Sequence, residues 1–137
     1  MPMIYGATAQ STHNTGQHGD ASRQHLYTKV SGTAVGTQIV LGEFVGGCRV
    51  DTVRLIHGAL GAGSSLKLGV VFPDGLDADN ATQFGTHNTA AAGTPEWKGK
   101  PFSTQNRYLL VAEVVGAPVS GDIDVLVDFV FRGLSHA

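Results

Sequence analysis

The sequence contains few of the residues that carry chemistry or charge. Its 137 residues include one cysteine, one tryptophan, 9 Lys+Arg and 11 Asp+Glu, for a net charge of −2. A single cysteine, Cys48, excludes an internal disulfide; we interpret it as a small buried hydrophobe, with a bridge between two chains as the alternative. Nucleic-acid binding usually requires a basic field to neutralise phosphates, and this balance of charges does not provide one.

Long apolar runs are also missing. No run reaches the roughly 18 apolar residues that a membrane-spanning helix needs, and no apolar stripe at helical spacing extends over three turns. The first residues lack the basic region and apolar run of a signal peptide. We therefore expect neither a membrane nor nucleic acid as a direct partner. We expect a protein that is made and kept in a cytoplasm, or one that is assembled there into something larger.

What the chain does contain is glycine and alternating apolar residues. Most of the 19 glycines lie between apolar runs, where they mark turns. The clearest alternation covers residues 121–131, in which one face is apolar and the other is acidic. The apolar face consists of Ile123, Val125, Val127, Phe129 and Phe131, and the other face carries Asp122, Asp124 and Asp128. We interpret this stretch as a strand of the core sheet.

Similar patterns predict the other strands, which cover His25 to Val30, Val35 to Val45, Cys48 to His57, Leu66 to Phe72 and Arg107 to Val115. In the third of these the alternation changes parity, which predicts a bulge near Asp51-Thr52. Residues 81–84 are expected to form a short strand or one helical turn, and residues 85–106 a long exposed loop with a little strand. The predicted fold is all-β, a single-domain β-sandwich or jelly roll of about seven or eight antiparallel strands over residues 23–137.

Residues 1–22 are predicted to form an extended polar N-terminal arm. They show no periodicity and too little apolar surface to pack alone. The arm is either a disordered terminus or a segment that becomes ordered on a neighbouring subunit. In the second case Ile4 and Tyr5 would be its anchors, with His13 and His18 as further contact residues.

No motif indicates catalysis or metal binding. The six histidines lack metal-ligand spacing, and the oxygen-rich loop of Asp74, Asp77, Asp79 and Asn80 does not match a calcium loop. Serines occur without the glycine-flanked elbow of a hydrolase nucleophile. The aspartates of residues 121–131 are explained by a solvated strand face. We therefore predict no catalytic residues, no cofactor and no metal.

The long loop contains one mixed aromatic and basic segment, Trp97-Lys98-Gly99-Lys100-Pro101-Phe102. Trp97, Lys98, Lys100 and Phe102 are therefore candidate contact residues for another protein, because aromatic side chains dominate interface hot spots. The same residues could stack on a base or a sugar. A simple anchor of the loop on its own domain explains the segment equally well.

Three features together resemble a known family. They are the segment from Val53-Arg54-Leu55-Ile56 to Leu66-Lys67-Leu68-Gly69-Val70, the loop Asp77-Ala78-Asp79 followed by Phe84, and the stretch 121–129. Over residues 23–131 the chain resembles the small decoration, or cement, proteins of tailed-bacteriophage capsids.

That resemblance implies a jelly roll on the outside of an icosahedral virion shell, near two-fold or three-fold positions. Its partners would be the major capsid protein, whose neighbouring subunits it bridges, and further copies of itself in a dimer or trimer. The resemblance implies no catalytic residues. Terminal arms in such proteins often reach across to neighbouring subunits, which would suit residues 1–20. Many copies of a weak contact can hold a shell, because engagement at several points raises the effective concentration.

Two other functions remain open at this point. One is a carbohydrate-binding β-sandwich of a phage tail or adhesion device, with Trp97 and Tyr108 as stacking residues. The other is a small jelly-roll enzyme of the cupin kind, which needs a cluster of His and Glu on adjacent strands. His25 and His57 are too few for such a cluster.

Overall fold

The computed structural model describes residues 3–6, 12–13 and 21–131, and these form two β-sheets around one core. The strands are β1 Met3–Tyr5, β2 Thr12–His13, β3 Ala21–Thr33, β4 Gln38–Phe44, β5 Cys48–His57, β6 Ser65–Val71, β7 Thr86–Asn88, β8 Glu96–Trp97, β9 Phe102–Ser103, β10 Tyr108–Val115 and β11 Val119–Phe131. The predicted all-β sandwich is confirmed, and the short strands β7, β8 and β9 are the expected strand within the long loop.

The first sheet has the strand order β1-β4-β10-β6-β7, with β2 also pairing β4; the second has β3-β11-β5-β8, with β9 also pairing β5. Strands β1 and β2 run parallel to β4, and the other pairings are antiparallel. Among the described residues there is no helix, and so none that could cross a membrane. Strand β11 lies between β3 and β5, which confirms its prediction as a core strand.

The apolar face of each long strand points into one core. In β11, Ile123, Val125 and Val127 are fully buried and Phe129 is 3% exposed. Each such side chain contributes about 1.5–3 kcal/mol when it leaves water completely. Cys48 is buried in the same core, as expected for a small hydrophobe, and burial raises the pKa of its thiol to about 11.

The predicted bulge in β5 is present. Thr52 lies opposite Asp128 and Val50 lies opposite Phe129, so Asp51 is the extra residue. Without this insertion, Val50 and Val53 would point to opposite faces, because side chains alternate along a strand. The bulge returns both to the core, where each is fully buried.

Strand β4 begins later than its alternation predicts. Val35 and Gly36 form a turn, in which Gly36 has φ 89° and Val35 is 51% exposed. A positive φ is readily available only to glycine, so Gly36 bends the chain at a point where the sequence pattern predicted a strand. Residues 81–84 form a turn against β6, which agrees with the helical-turn alternative more than with a strand.

Candidate interaction surfaces

The first sheet ends in an exposed apolar strand. Met3, Ile4 and Tyr5 of β1 are 36%, 41% and 58% exposed, while their backbone pairs with β4. After β1 the amide of Gly6 donates to the carbonyl of Val40 at 2.6 Å. Among the described strands β1 lies at the edge of its sheet, and an edge strand presents backbone N–H and C=O groups on its outer side. Within the described residues, β1 therefore combines exposed apolar side chains with outward-facing hydrogen-bonding groups.

The structure describes less of the two other predicted contact residues of the arm, His13 and His18. His13 belongs to β2, which pairs with β4 opposite Phe44, and its side chain is not described. His18 lies outside the described residues. Whether residues 1–22 contact a neighbouring subunit therefore stays a prediction.

The outer face of the second sheet carries a ladder of charged and polar pairs between β3 and β11. The Arg23 guanidinium donates to the Asp128 carboxylate at 2.6 and 3.3 Å. The acidic face of β11 is thus solvated, as the sequence predicted. The sequence did not identify the partners on β3, because alternation along one strand does not show which strands are its neighbours in the sheet. The other pairs are His25 Nε2 with Asp124 at 2.6 Å and the Tyr27 hydroxyl donating to Asp122 at 3.0 Å.

Three members of this ladder have shifted pKa values. The hydrogen bonds that Arg23 and Tyr27 donate to Asp128 and Asp122 raise the pKa of both donors. The hydrogen bond from Arg23 holds the pKa of Asp128 below its ordinary value, and the Thr52 hydroxyl adds a second hydrogen bond at 2.7 Å. The side chains of Arg23 and Asp128 are 60% and 38% exposed. Pairs this exposed contribute at most about 1 kcal/mol, so the ladder defines the charge pattern of this face more than it stabilises the fold.

The aromatic residues of the long loop are half-buried on the core. The Trp97 indole meets Phe84 edge-to-face at 5.0 Å, and the Phe102 ring meets Phe84 at 5.7 Å and Tyr108 at 5.5 Å. These contacts match the loop-anchor interpretation. The packing of Trp97 also explains Gly99, since a Cβ there would lie 2.8 Å from the indole.

The exposed cations of this segment are Lys98 and Lys100. Lys98 Nζ lies 3.6 Å from Glu96. Tyr108 is fully buried, so its ring is unavailable as the stacking platform that the carbohydrate-binding alternative requires. A role for Trp97, Lys98, Lys100 and Phe102 in binding a protein stays a prediction.

The two strand histidines do not converge. His25 is exposed on the outer face of β3, whereas His57 is buried at the end of β5, where Nδ1 lies 2.7 Å from the Gly58 carbonyl oxygen. The cupin-like alternative requires histidines that point to one centre. In the part of the chain that the structure describes, no group of three His, Cys, Asp or Glu side chains could hold a metal ion.

Each aspartate of the oxygen-rich loop fixes that loop to a neighbouring segment. Asp74 accepts two hydrogen bonds from Arg107, at 3.0 and 3.1 Å, and Asp79 accepts one from the Phe72 amide at 2.8 Å. Asp77 Oδ2 accepts from the Thr104 hydroxyl at 3.1 Å and from the Asn106 side-chain amide at 2.8 Å. The carboxylates therefore hold this loop in place through hydrogen bonds, in keeping with a solvated loop of turn and cap residues.

Between this loop and residues 102–104 lies a cleft of about 340 Å³. Its walls include two phenylalanine rings and several polar side chains; the main ones are Phe72, Phe102, Asp77, Asn80, Gln83 and Thr104. The sequence did not predict this cleft. Its two walls are about 25 residues apart in the chain and have no shared motif that a sequence pattern would reveal.

Comparison with known proteins finds solved structures with a similar fold but no family profile or curated protein with a matching sequence. No profile of a known protein family matches the chain, and no curated protein matches it. A chain from the capsid of Ralstonia phage GP4 superposes with a TM-score of 0.75 at 18% identity, covering 97% of this chain and 99% of that one.

Two further capsid chains have the same fold. One is from the acid-stable capsid of Helicobacter pylori bacteriophage KHP30, with a TM-score of 0.60 at 19% identity over 85% of this chain and 92% of that one. The other is from the capsid asymmetric unit of cyanophage Pam1, with a TM-score of 0.63 at 17% identity over 91% and 94%. The protein therefore shares its β-sandwich with chains found in phage capsids, and the resemblance inferred from the sequence is confirmed at the level of the fold.

Proposed function

We propose that this protein is a structural component of a phage virion: a decoration, or cement, protein that binds the outside of the head and bridges neighbouring major capsid subunits. The observation that carries the proposal is the likeness to three capsid chains along almost their whole length, between 92% and 99% of each. Such coverage means that those chains are polypeptides of about this size. A small separate sandwich within a capsid is suited to an accessory role on the shell.

The exposed strand β1 supports a function based on contact. Ile4 and Tyr5 present apolar and aromatic surface on a strand that is the edge of its sheet among the described strands. Aromatic side chains are enriched at the centres of protein interfaces, and a strand edge can pair with an extended segment of a partner. In the proposal these residues contact a major capsid subunit or a neighbouring copy of this chain, the latter within a dimer or trimer.

The exposed cations of the long loop fit a role at the rim of a second interface, because β8 and β9 pair with β5 in the second sheet whereas β1 is the edge of the first among the described strands. Lys98 and Lys100 are exposed near the half-buried Trp97 and Phe102, so the cations can reach a partner while the rings hold the loop in place. Charges at a rim mainly set the association rate and orientation. The proposal assigns no enzymatic activity and no cofactor.

Binding to heads that lack this protein tests the proposal. Purified full-length protein is mixed with expanded heads of its own phage assembled without it, and the bound copies are counted after sedimentation. The expected result is saturable binding at a fixed number of copies per head. Absence of binding to expanded heads contradicts the proposed function.

A pair of variants tests the contact surface separately. Tyr5→Ser removes an aromatic side chain that is 58% exposed, and Leu76→Ser is the matched control because Leu76 is 67% exposed in the loop after β6. Burial of such a side chain contributes about 1.5–3 kcal/mol, so Tyr5→Ser is expected to weaken binding at least about tenfold while Leu76→Ser leaves it unchanged. The reverse pattern would exclude β1 as the contact surface.

A further inference from the structure

We propose that the cleft between the loop 73–84 and residues 102–104 binds an uncharged saccharide. The cleft has a volume of about 340 Å³, within the range of pockets that hold small ligands. Phe72 and Phe102 give it apolar ring surface, and Phe102 is only half-buried. The C–H face of a sugar ring packs on surface of this kind.

The polar wall offers both hydrogen-bond donors and acceptors. Asp77 uses Oδ2 for Thr104 and Asn106. The Gln83 side-chain oxygen accepts from Asn80 Nδ2 at 3.3 Å, and within the described residues its amide nitrogen has no partner. A sugar hydroxyl both donates and accepts, so it can use the Gln83 amide and the second oxygen of Asp77 together.

The charge of the cleft selects against other ligand classes. Among the described residues, Asp77 is the one ionisable side chain in the cleft wall, and Asp74 and Asp79 belong to the same loop. Arg107 is engaged by Asp74 and by Glu43, which it contacts at 2.9 Å. Lys98 and Lys100 precede Phe102 in the chain but are not part of the cleft wall. Phosphate, sulfate or an acidic peptide would face the like charge of the Asp77 carboxylate in the wall, and a single carboxylate is a poor cation site. A ligand with many hydroxyls and no charge fits the wall best.

Backbone hydrogen bonds fix the walls before any ligand binds. Val70 and Asn80 exchange both of their backbone hydrogen bonds, at 2.9 and 3.0 Å, and the Phe84 amide donates to the Leu68 carbonyl at 2.8 Å. Asp77 ties the loop to the opposite wall at Thr104. A pre-formed cleft loses little conformational entropy on binding, which favours recognition of a small polar ligand.

An NMR titration of the isotope-labelled full-length protein tests this inference. The probes are D-glucose, D-galactose, L-rhamnose and N-acetyl-D-glucosamine, with glycerol as a non-ring polyol. At least one sugar is expected to shift the amide signals of Ala78, Gln83 and Ser103, whereas glycerol is not. Inorganic phosphate, added in a separate titration, is expected to leave these signals in place.

A matched pair of variants identifies the cleft as the site. Gln83→Ala is expected to lower the affinity about five- to tenfold, the effect of one lost hydrogen bond. Gln24→Ala makes the same change on β3 in the second sheet and is expected to preserve affinity. Failure of all four sugars to shift the cleft signals, equal shifts with glycerol, or unchanged affinity in Gln83→Ala would overturn the inference. The titration needs no phage particle, so its failure is distinguishable from failure of the proposed virion role.

Discussion

Replacement of Gly69 by alanine should destabilise the protein far more than an ordinary strand substitution. A Cβ at Gly69 would lie 2.2 Å from the Asn80 carbonyl oxygen and 2.4 Å from the Ala81 carbonyl carbon, whereas ordinary contacts begin at 3.4 Å. Both atoms belong to the backbone, so no side-chain rotation relieves the overlap. The turn 80–84, which forms one wall of the cleft, has to move away from β6.

The energetic cost follows from what the turn loses. Its displacement breaks the two Val70–Asn80 hydrogen bonds, each worth about 0.5–1.5 kcal/mol net, and forced overpacking typically costs about 1–3 kcal/mol. Alanine regains about 0.5–1 kcal/mol over glycine in an unstrained strand. We therefore expect Gly69→Ala to lower the free energy of unfolding by about 2–4 kcal/mol.

Urea denaturation followed by tryptophan fluorescence measures this loss, and a thermal scan should show a Tm lower by about 10 °C for a domain of this size. The control is Gly58→Ala, because a Cβ at Gly58 meets nothing within 4 Å. We expect this control to match the parent protein. Equal stability of the two variants would refute the idea that close backbone approach at Gly69 holds the turn in place.

Three other substitutions or probes test the description of the core and of the charged face. Tyr108→Phe should leave stability equal or raise it by up to about 1 kcal/mol in urea denaturation, because the buried hydroxyl has no hydrogen-bond partner among the described residues. Asp128→Asn should lower the free energy of unfolding by at most about 1 kcal/mol at pH 7. The hydrogen bond from Arg23 lowers the pKa of Asp128 in the folded protein. The stability difference between parent and variant should therefore shrink as the pH falls below the ordinary carboxyl pKa, and it should vanish below the lowered pKa of the folded protein. Cys48 should not react with a thiol reagent at pH 8 until the protein unfolds, because it is buried and its pKa is raised to about 11.

The sequence predicted those parts of the fold that depend on local alternation. Strand β11 and the bulge at Asp51 could both be located because a period of two assigns each side chain to a face, and a change of parity requires an extra residue. The pattern gave β4 too early a start, because Val35 continues the alternation while Gly36 adopts a positive φ. A sequence pattern reports which residues are apolar, and it does not report the backbone angle at a glycine.

The candidate surfaces depend on contacts that are distant in sequence. The partnership of Arg23 with Asp128 requires the pairing of β3 with β11, which no local pattern states. The cleft requires residues 77–83 and 102–104 to lie side by side. Phe102 was a candidate for its chemical type, and the structure places its half-buried ring in the wall of that cleft.

A cryo-electron microscopy map of the mature virion, at a resolution that shows strands, is the decisive test of a role on the capsid exterior. We expect density for this two-sheet sandwich on the outer surface of the head, with β1 against a major capsid subunit or a second copy of the chain. A virion whose head lacks this density, or carries the sandwich only inside the shell or in the tail, would rule that role out.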